Sequence, residues 1–211
     1  MRVTVFGASG GIGRELVRQA IQRGDEVTAV VRSGARAEFP AETEVVRVDS
    51  LDDPALIELA IAGRDAVLSG IGPRGRNDGP VAAPITAVIA EAMKTCGVER
   101  IIAVSAAPVG PPPQRDAFLN KRVLMPLIGS LLRPVYDDLE RMEGVLRSSG
   151  LDWTVVRPPK LTAKAATGTY RTLVGANIER AFSVSRADVA HAMLDALGDP
   201  ATVRQPVGIA N

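Results

Sequence analysis

Within its first thirteen residues the chain carries Val3-Thr4-Val5-Phe6-Gly7-Ala8-Ser9-Gly10-Gly11-Ile12-Gly13, an apolar run that gives way to a glycine-rich stretch. The apolar residues before Gly7 suit a strand covered on both faces, and Glu15-Leu16-Val17 with Ala20 and Ile21 continues at helical spacing. The glycines at 7, 10 and 13 therefore fall at a strand-to-helix junction. There the first permits a sharp turn, the second lets a diphosphate approach the backbone, and the third lets the helix pack closely on the strand. The free N–H groups and positive dipole end of such a helix attract phosphates, which makes Gly7, Ala8, Ser9, Gly10, Gly11 and Ile12 candidate contacts for a dinucleotide. A tight turn needs glycine with or without a ligand, so it is the strand before and the helix after that point to one.

Alternation continues beyond this junction. Strands are expected at Arg2 to Phe6, Glu26 to Val31, Glu44 to Val48, Asp65 to Ser69 and Arg100 to Ser105, with helices from Gly11, from Pro54 and over Pro80 to Cys96. That order specifies an α/β fold with a mostly parallel sheet, and apolar strands such as Ile101-Ile102-Ala103-Val104 call for helices on both faces, a doubly wound arrangement. A helix from about Pro134 to Ser149 and a strand at Trp153 to Val156 come next. Arg157-Pro158-Pro159-Lys160 is expected to be a loop, because prolines cannot continue a ladder, and Thr167-Gly168-Thr169-Tyr170 to start a small hairpin. Ser185 with Asp188 three residues on, ahead of Val189, Met193 and Leu197, has the pattern of a capped helix start, so Asp188 is read as structural. At 211 residues and 46% hydrophobic content, one domain over residues 1–211 is expected, with a small C-terminal region on the substrate side.

Twenty-five basic and 24 acidic side chains leave a net charge of +1, which gives no general attraction to nucleic acid or to an anionic membrane. No charge-free apolar run reaches the roughly 18 residues of a membrane span. With one cysteine, Cys96, and one histidine, His191, neither an internal disulfide nor a metal site is expected. The first residues enter a strand directly, without a signal segment, so a cytoplasmic protein, monomeric or homodimeric, is the expectation.

The end of the second strand selects the dinucleotide. A carboxylate there commonly accepts both adenosine ribose hydroxyls, but this chain has Val31-Arg32-Ser33-Gly34-Ala35-Arg36. Arg32 and Arg36 are suited to a 2′-phosphate through charge-assisted guanidinium contacts, or else are two solvated loop arginines; NADP(H) is accordingly preferred to NAD(H). Asp49-Ser50 comes after the third strand, where Asp49 is placed to accept from the adenine amino group or simply to form a turn. Gly70-Ile71-Gly72 ends the fourth strand, either to bring backbone near ribose and phosphates or as a strand-end turn. Ser105 ends the fifth, beside the expected nicotinamide position. Ligands of open α/β sheets bind at the carboxyl ends of strands, so these loops belong to one cleft.

These residues, with Asp137-Asp138, Arg141-Met142, Val145 to Leu151, Pro158-Pro159, Gly168-Thr169-Tyr170 and Ser185 to Asp188, resemble the atypical short-chain dehydrogenase/reductases, in particular the biliverdin-IXβ/flavin reductases and NmrA-like proteins. The resemblance covers nearly the whole chain. It implies a Rossmann fold, and a cofactor cleft lined by the glycine turn, Arg32, Arg36, Asp49, Ser50, the Gly70 loop, Ser105 and the Pro158-Pro159-Lys160 loop.

Two departures bear on chemistry. The Tyr-x-x-x-Lys pair of ordinary short-chain dehydrogenases is missing: Tyr136-Asp137-Asp138-Leu139-Glu140 has glutamate in the lysine's place, and a carboxylate there raises rather than lowers a phenol pKa. Biliverdin-IXβ reductases place histidines where this chain has Leu139 and Lys160, so the resemblance implies the redox function without implying tetrapyrrole specificity. The activity expected is an NADPH-dependent reductase delivering hydride to a flavin, quinone or similar conjugated acceptor. Alternatives are a non-catalytic NADP(H) sensor and a sugar-nucleotide or ketone enzyme, the latter disfavoured by the absent acid/base pair. Ser105 is the candidate for a polar catalytic role, its hydroxyl hydrogen-bonding the carboxamide or the acceptor, with a strand-end cap as the plain alternative. Lys160 is placed to attract an anionic substrate or a cofactor phosphate, or is an exposed loop lysine. The apolar segment Phe118 to Ile128 is read as a lid or a subunit contact.

Overall fold

A computed structural model of the chain describes residues 1–51, 53–73, 79–112 and 125–211, with the backbone alone for 125–131. Its elements run β1 (Arg2–Phe6), α1 (Gly11–Gln22), β2 (Glu26–Arg32), β3 (Glu44–Val48), α2 (Pro54–Ile61), β4 (Ala66–Ser69), α3 (Ala82–Cys96), β5 (Arg100–Val104), α4 (Met125–Ser148), β6 (Asp152–Arg157), β7 (Lys160–Thr162), β8 (Arg171–Val174), β9 (Ser183–Ser185), α5 (Arg186–Asp195) and β10 (Gln205–Ala210). Eight strands form one sheet in the order β3-β2-β1-β4-β5-β6-β10-β8, parallel throughout except where β8 pairs antiparallel to β10. This is the Rossmann order, and it reverses direction between β1 and β4, where Val3 faces Val27 on one side and Ala66 on the other.

The period-2 alternation of the strands divides the core. Val3, Val5, Val27 and Ala29 turn toward α1 and α5, packing on Leu16, Val17, Val189 and Met193. Phe6, Val30, Val67 and Ile101 turn the other way, toward α2, α3 and α4, against Ile57, Ile61, Ile89, Met93, Met142 and Leu146. Burying each of these large side chains is worth roughly 1.5–3 kcal/mol, so both helical layers are firmly attached to the sheet.

The structure differs from the sequence expectation mainly after β5. Helix α4 begins at Met125, not near Pro134, and carries Pro134 inside it. A proline within a helix gives up a backbone hydrogen bond and reads as a start, which explains the difference. The lid or contact expected over Phe118 to Ile128 lies outside the described residues as far as Leu124, and its last residues belong to α4. Arg157 is still in β6, paired with Gly208, and Lys160 opens β7, so the expected four-residue loop shrinks to Pro158-Pro159. No hairpin starts at Thr167. Instead the N–H groups of Thr167 and Gly168 donate to Asp188 at 2.9 and 3.0 Å, and the next strand, β8, finds its partner in β10. No described helix is long and apolar enough to cross a membrane.

Candidate functional site

The turn between β1 and α1 is made almost entirely of backbone. Gly7 adopts φ +70°, and a Cβ on it would come within 2.9 Å of the Gly70 carbonyl carbon. Gly13 is tighter still, for its Cβ would stand 2.1 Å from the Gly7 carbonyl oxygen, so helix α1 meets the strand only because that position is bare. At Gly10 the one neighbour within 4 Å of a Cβ is the Gly7 oxygen at 3.2 Å, which leaves the outer side of the turn open. Helix α1 starts there with no acidic residue in its first turn and no side-chain cap on Gly10. Bare N–H groups at a helix start with an open, side-chain-free approach form a cradle that fits a diphosphate.

Gly70, directly after β4, packs on the turn: its Cβ would lie 3.3 Å from Gly13 N, and its own N–H donates to the Phe6 carbonyl at 3.0 Å. The Gly70-Ile71-Gly72 loop is thus brought to the glycine turn at the point where the sheet order reverses. The helix beyond this loop is anchored from a distance. Helix α3 has no side-chain cap of its own, and the buried Asp138 carboxylate, carried on α4, accepts from Val81, Ala82 and Ala83 N–H at 2.8, 2.7 and 3.0 Å.

On the other side of the turn, Arg32, Ser33, Gly34, Ala35 and Asp49 line one depression of about 390 Å³ at the ends of β2 and β3. Arg32, Arg36, Asp49 and Ser50 are all exposed there. Arg14, which the sequence alone did not single out, ties this loop to the glycine turn: Nε donates to the Ser9 carbonyl at 3.0 Å and Nη2 to the Arg36 carbonyl at 3.2 Å.

The remaining predicted residues gather at the ends of β5 and β6. Ser105 is buried, its N–H donates to the Val156 carbonyl, and its hydroxyl donates to Glu143 Oε1 at 2.7 Å. Glu143, on α4 and 1% exposed, is in turn gripped bidentately by Arg157, Nε to Oε1 at 2.9 Å and Nη2 to Oε2 at 2.5 Å, with Arg147 approaching Oε2 from the surface side at 3.2 Å. The Ser105 proton is therefore not available for the carboxamide or acceptor bond expected of it. Its oxygen keeps lone pairs that can still accept a hydrogen bond. Neither Glu143 nor Arg157 carried a sequence signal for this role, since a helical Glu with Arg four residues on reads as an exposed pair and Arg157 as part of a proline loop. Pro158 is tied in through its carbonyl, which accepts from Ala107 N–H at 2.9 Å, whereas Lys160 is exposed on β7.

Burial pushes the Tyr136 phenol above its ordinary value. The direction agrees with the sequence argument, but the cause is desolvation and not the glutamate four residues on. His191 is part-exposed, its Nδ1 2.6 Å from the Tyr170 hydroxyl and 3.0 Å from Asp195 Oδ2. Cys96 is half-buried, and burial together with the charge of Glu58 raises its thiol, consistent with an unreactive cysteine.

Comparison with known proteins agrees with this geometry. A 3-diazoavenalumate denitrifying reductase from a Streptomyces species is 38% identical over 174 residues, taking in 74% of this chain and 55% of that protein, so the chain spans about half of that relative. ChuY, an anaerobillin reductase from Escherichia coli O157:H7, superposes with a TM-score of 0.80 at 22% identity, over 100% of this chain and 97% of the other. A short-chain dehydrogenase/reductase (wide type) from Veillonella parvula DSM 2008, solved in complex with NADP, gives 0.76 at 20% identity, over 100% and 94%. At these identities the two structures speak for the fold. The family model described as NAD(P)H-binding matches residues 7–200, from the first glycine of the turn to beyond α5, and the chain belongs to that family.

Proposed function

We propose that the protein is an NADPH-dependent oxidoreductase that reduces a flavin, a quinone or a similar conjugated small molecule. In this reading Gly7 to Ile12 hold the cofactor diphosphate, Arg32 and Arg36 the 2′-phosphate, Asp49 and Ser50 the adenine end and Gly70 to Gly72 the ribose side, while Ser105, Pro158, Pro159 and Lys160 border the nicotinamide end. An arginine in place of a carboxylate at the mouth of the Arg32–Asp49 depression favours the phosphorylated dinucleotide, and the NADP-bound Veillonella structure of the same fold is in keeping with it.

The observation that carries the acceptor class is the direction of the Ser105 hydroxyl. Its proton is directed to Glu143, and the Tyr136 phenol is raised rather than lowered, so neither side chain is ready to release a proton. When bound, the reduced nicotinamide supplies a hydride. The protein's share is orientation: the backbone cradle fixes one end of the cofactor, and the Ser105 oxygen accepts a hydrogen bond at the other. A conjugated ring system suits such a site because it spreads the incoming charge and takes its proton from water. That the Streptomyces relative is a reductase supports the oxidoreductase part of this reading.

The test is turnover. Purified protein is expected to oxidise NADPH well above the buffer rate when flavin mononucleotide or a benzoquinone is supplied, and to oxidise NADH more slowly. Tight NADPH binding without turnover over a broad acceptor panel would overturn the reductase reading in favour of a sensor.

A further inference from the structure

Gly11, the first residue of α1, is bare for a reason of its own. A Cβ on it would stand 2.5 Å from Cδ and 2.9 Å from Nε of Arg186, so the stem of that arginine lies against the start of α1. Arg186 is itself the first residue of α5 and is half-buried. Its cation thus sits close to two helix N-termini, each equivalent to roughly half a positive charge. The acidic groups that could offset this are missing or engaged. The first turn of α1 holds no acidic residue. Asp188, the acidic residue in the first turn of α5, is occupied by the Ser185 and Thr167 hydroxyls and by the N–H groups of Thr167 and Gly168. Among the described residues Arg186 makes no hydrogen bond or ion pair. Positive charge is gathered beside the glycine turn with no anion from the described residues to meet it.

We infer that Arg186 is a second cationic arm of the dinucleotide site, closing on the cofactor diphosphate from the α5 side while the N-terminus of α1 receives it from below. The inference rests on the glycine turn being the diphosphate cradle. It gives Arg186 a different task from Arg32. The diphosphate is common to NADP(H) and NAD(H), so Arg186 adds affinity without discrimination, and Arg32 discriminates. The contact also gives glycine at position 11 a consequence of its own, although the turn itself is set by Gly7 and Gly13: a side chain there would shift the arm from its place against α1.

Direct titration of NADPH, NADH, ADP and adenosine 2′-monophosphate into the wild-type and R186Q proteins tests this. Loss of a charge-assisted contact is expected to weaken NADPH, NADH and ADP by a similar factor, roughly 10- to 100-fold, and to leave adenosine 2′-monophosphate unchanged. The dependence of NADPH affinity on salt should flatten at the same time. R186K, which keeps the stem and the charge, is expected to recover most of the loss, and it carries the test if R186Q melts below the wild type. Unchanged cofactor affinity in R186Q would overturn the inference, and so would a loss confined to NADPH or one seen only as a raised KM for an anionic acceptor. Gly10→Val separates the two levels: if it leaves binding intact the cradle reading fails, and if it abolishes binding while R186Q does nothing, only the role of Arg186 fails.

Discussion

The glycine turn and the Ser105–Glu143–Arg157 cluster stand at the same carboxyl edge of the sheet, yet they are assembled in opposite ways. The turn is local: Gly7 to Gly13 shape it through backbone contacts, and its main long-range requirement is the approach of Gly70. The cluster is made of side chains drawn from β5, α4 and β6, Glu143 lying 38 residues from Ser105 and 14 from Arg157. A backbone cradle exposes its polar groups and needs a ligand to answer them. A buried ion pair answers itself, and its charges are stable only while all partners stay in place. Open, unanswered backbone groups therefore lie in one region and a self-satisfied, rigid side-chain cluster in the other.

The largest effect should come from breaking the cluster. Glu143→Ala leaves the 7%-exposed Arg157 guanidinium without its carboxylate and is expected to cost about 3–5 kcal/mol of stability in urea denaturation, far more than a helix-surface glutamate would. A loss below about 1 kcal/mol would place the pair among surface salt bridges and erase the contrast between the two regions.

The cofactor side should behave the other way. Arg32→Ala is expected to weaken NADPH by about 1.5–3 kcal/mol, the range for a hydrogen bond to a charged group, with NADH and the melting temperature nearly unmoved. Equal losses for both dinucleotides would remove the 2′-phosphate role.

A smaller effect sharpens the comparison through pH. Burial pushes the Asp188 carboxyl up, but hydrogen bonds from Ser185, Gly168 and Thr167 overcome it, and the net shift is below the ordinary 3.8. A carboxylate with a lowered folded pKa contributes stability that is in place above its unfolded value and fades as pH falls through the folded one. The stability difference between wild type and Asp188→Asn should therefore be constant from neutral pH down to about 5 and shrink below about 4. A difference that persists unchanged to strongly acidic pH would mean that the charge of Asp188 contributes nothing at this corner of α5.

Legibility in the sequence divides along the same line. The first five strands, the doubly wound order and the roles of Gly7 and Gly13 could be read because each depends on alternation or on neighbours a few residues away. Arg32 and Asp49 could be assigned to one cleft because both come after strands that end at the same edge. The capped start of α5 was legible too, as Ser185 accepts from Asp188 N–H at 2.9 Å. The partners of Ser105 and the anchoring of Thr167 were not, because nothing in the spacing of Glu143, Arg157 or Asp188 says which distant groups they meet. Arg186 was visible only as part of a motif. Its contact with Gly11 depends on how α5 lies beside α1, and that is a property of packing.

Asp138 has a consequence for the order in which the molecule can be put together. The first turn of α3 holds three N–H groups that one carboxylate answers, and that carboxylate is 55 to 57 residues further along the chain. A ribosome releases residues 81–83 well before Asp138, so the nascent β4–α3 unit waits with a frayed leading turn until α4 arrives and docks. The first half of the sheet thus carries a helix whose start is completed only by the second half, and a chain cut between β5 and α4 should retain the glycine turn, with Gly70 N–H still donating to the Phe6 carbonyl, yet fray at the leading turn of α3.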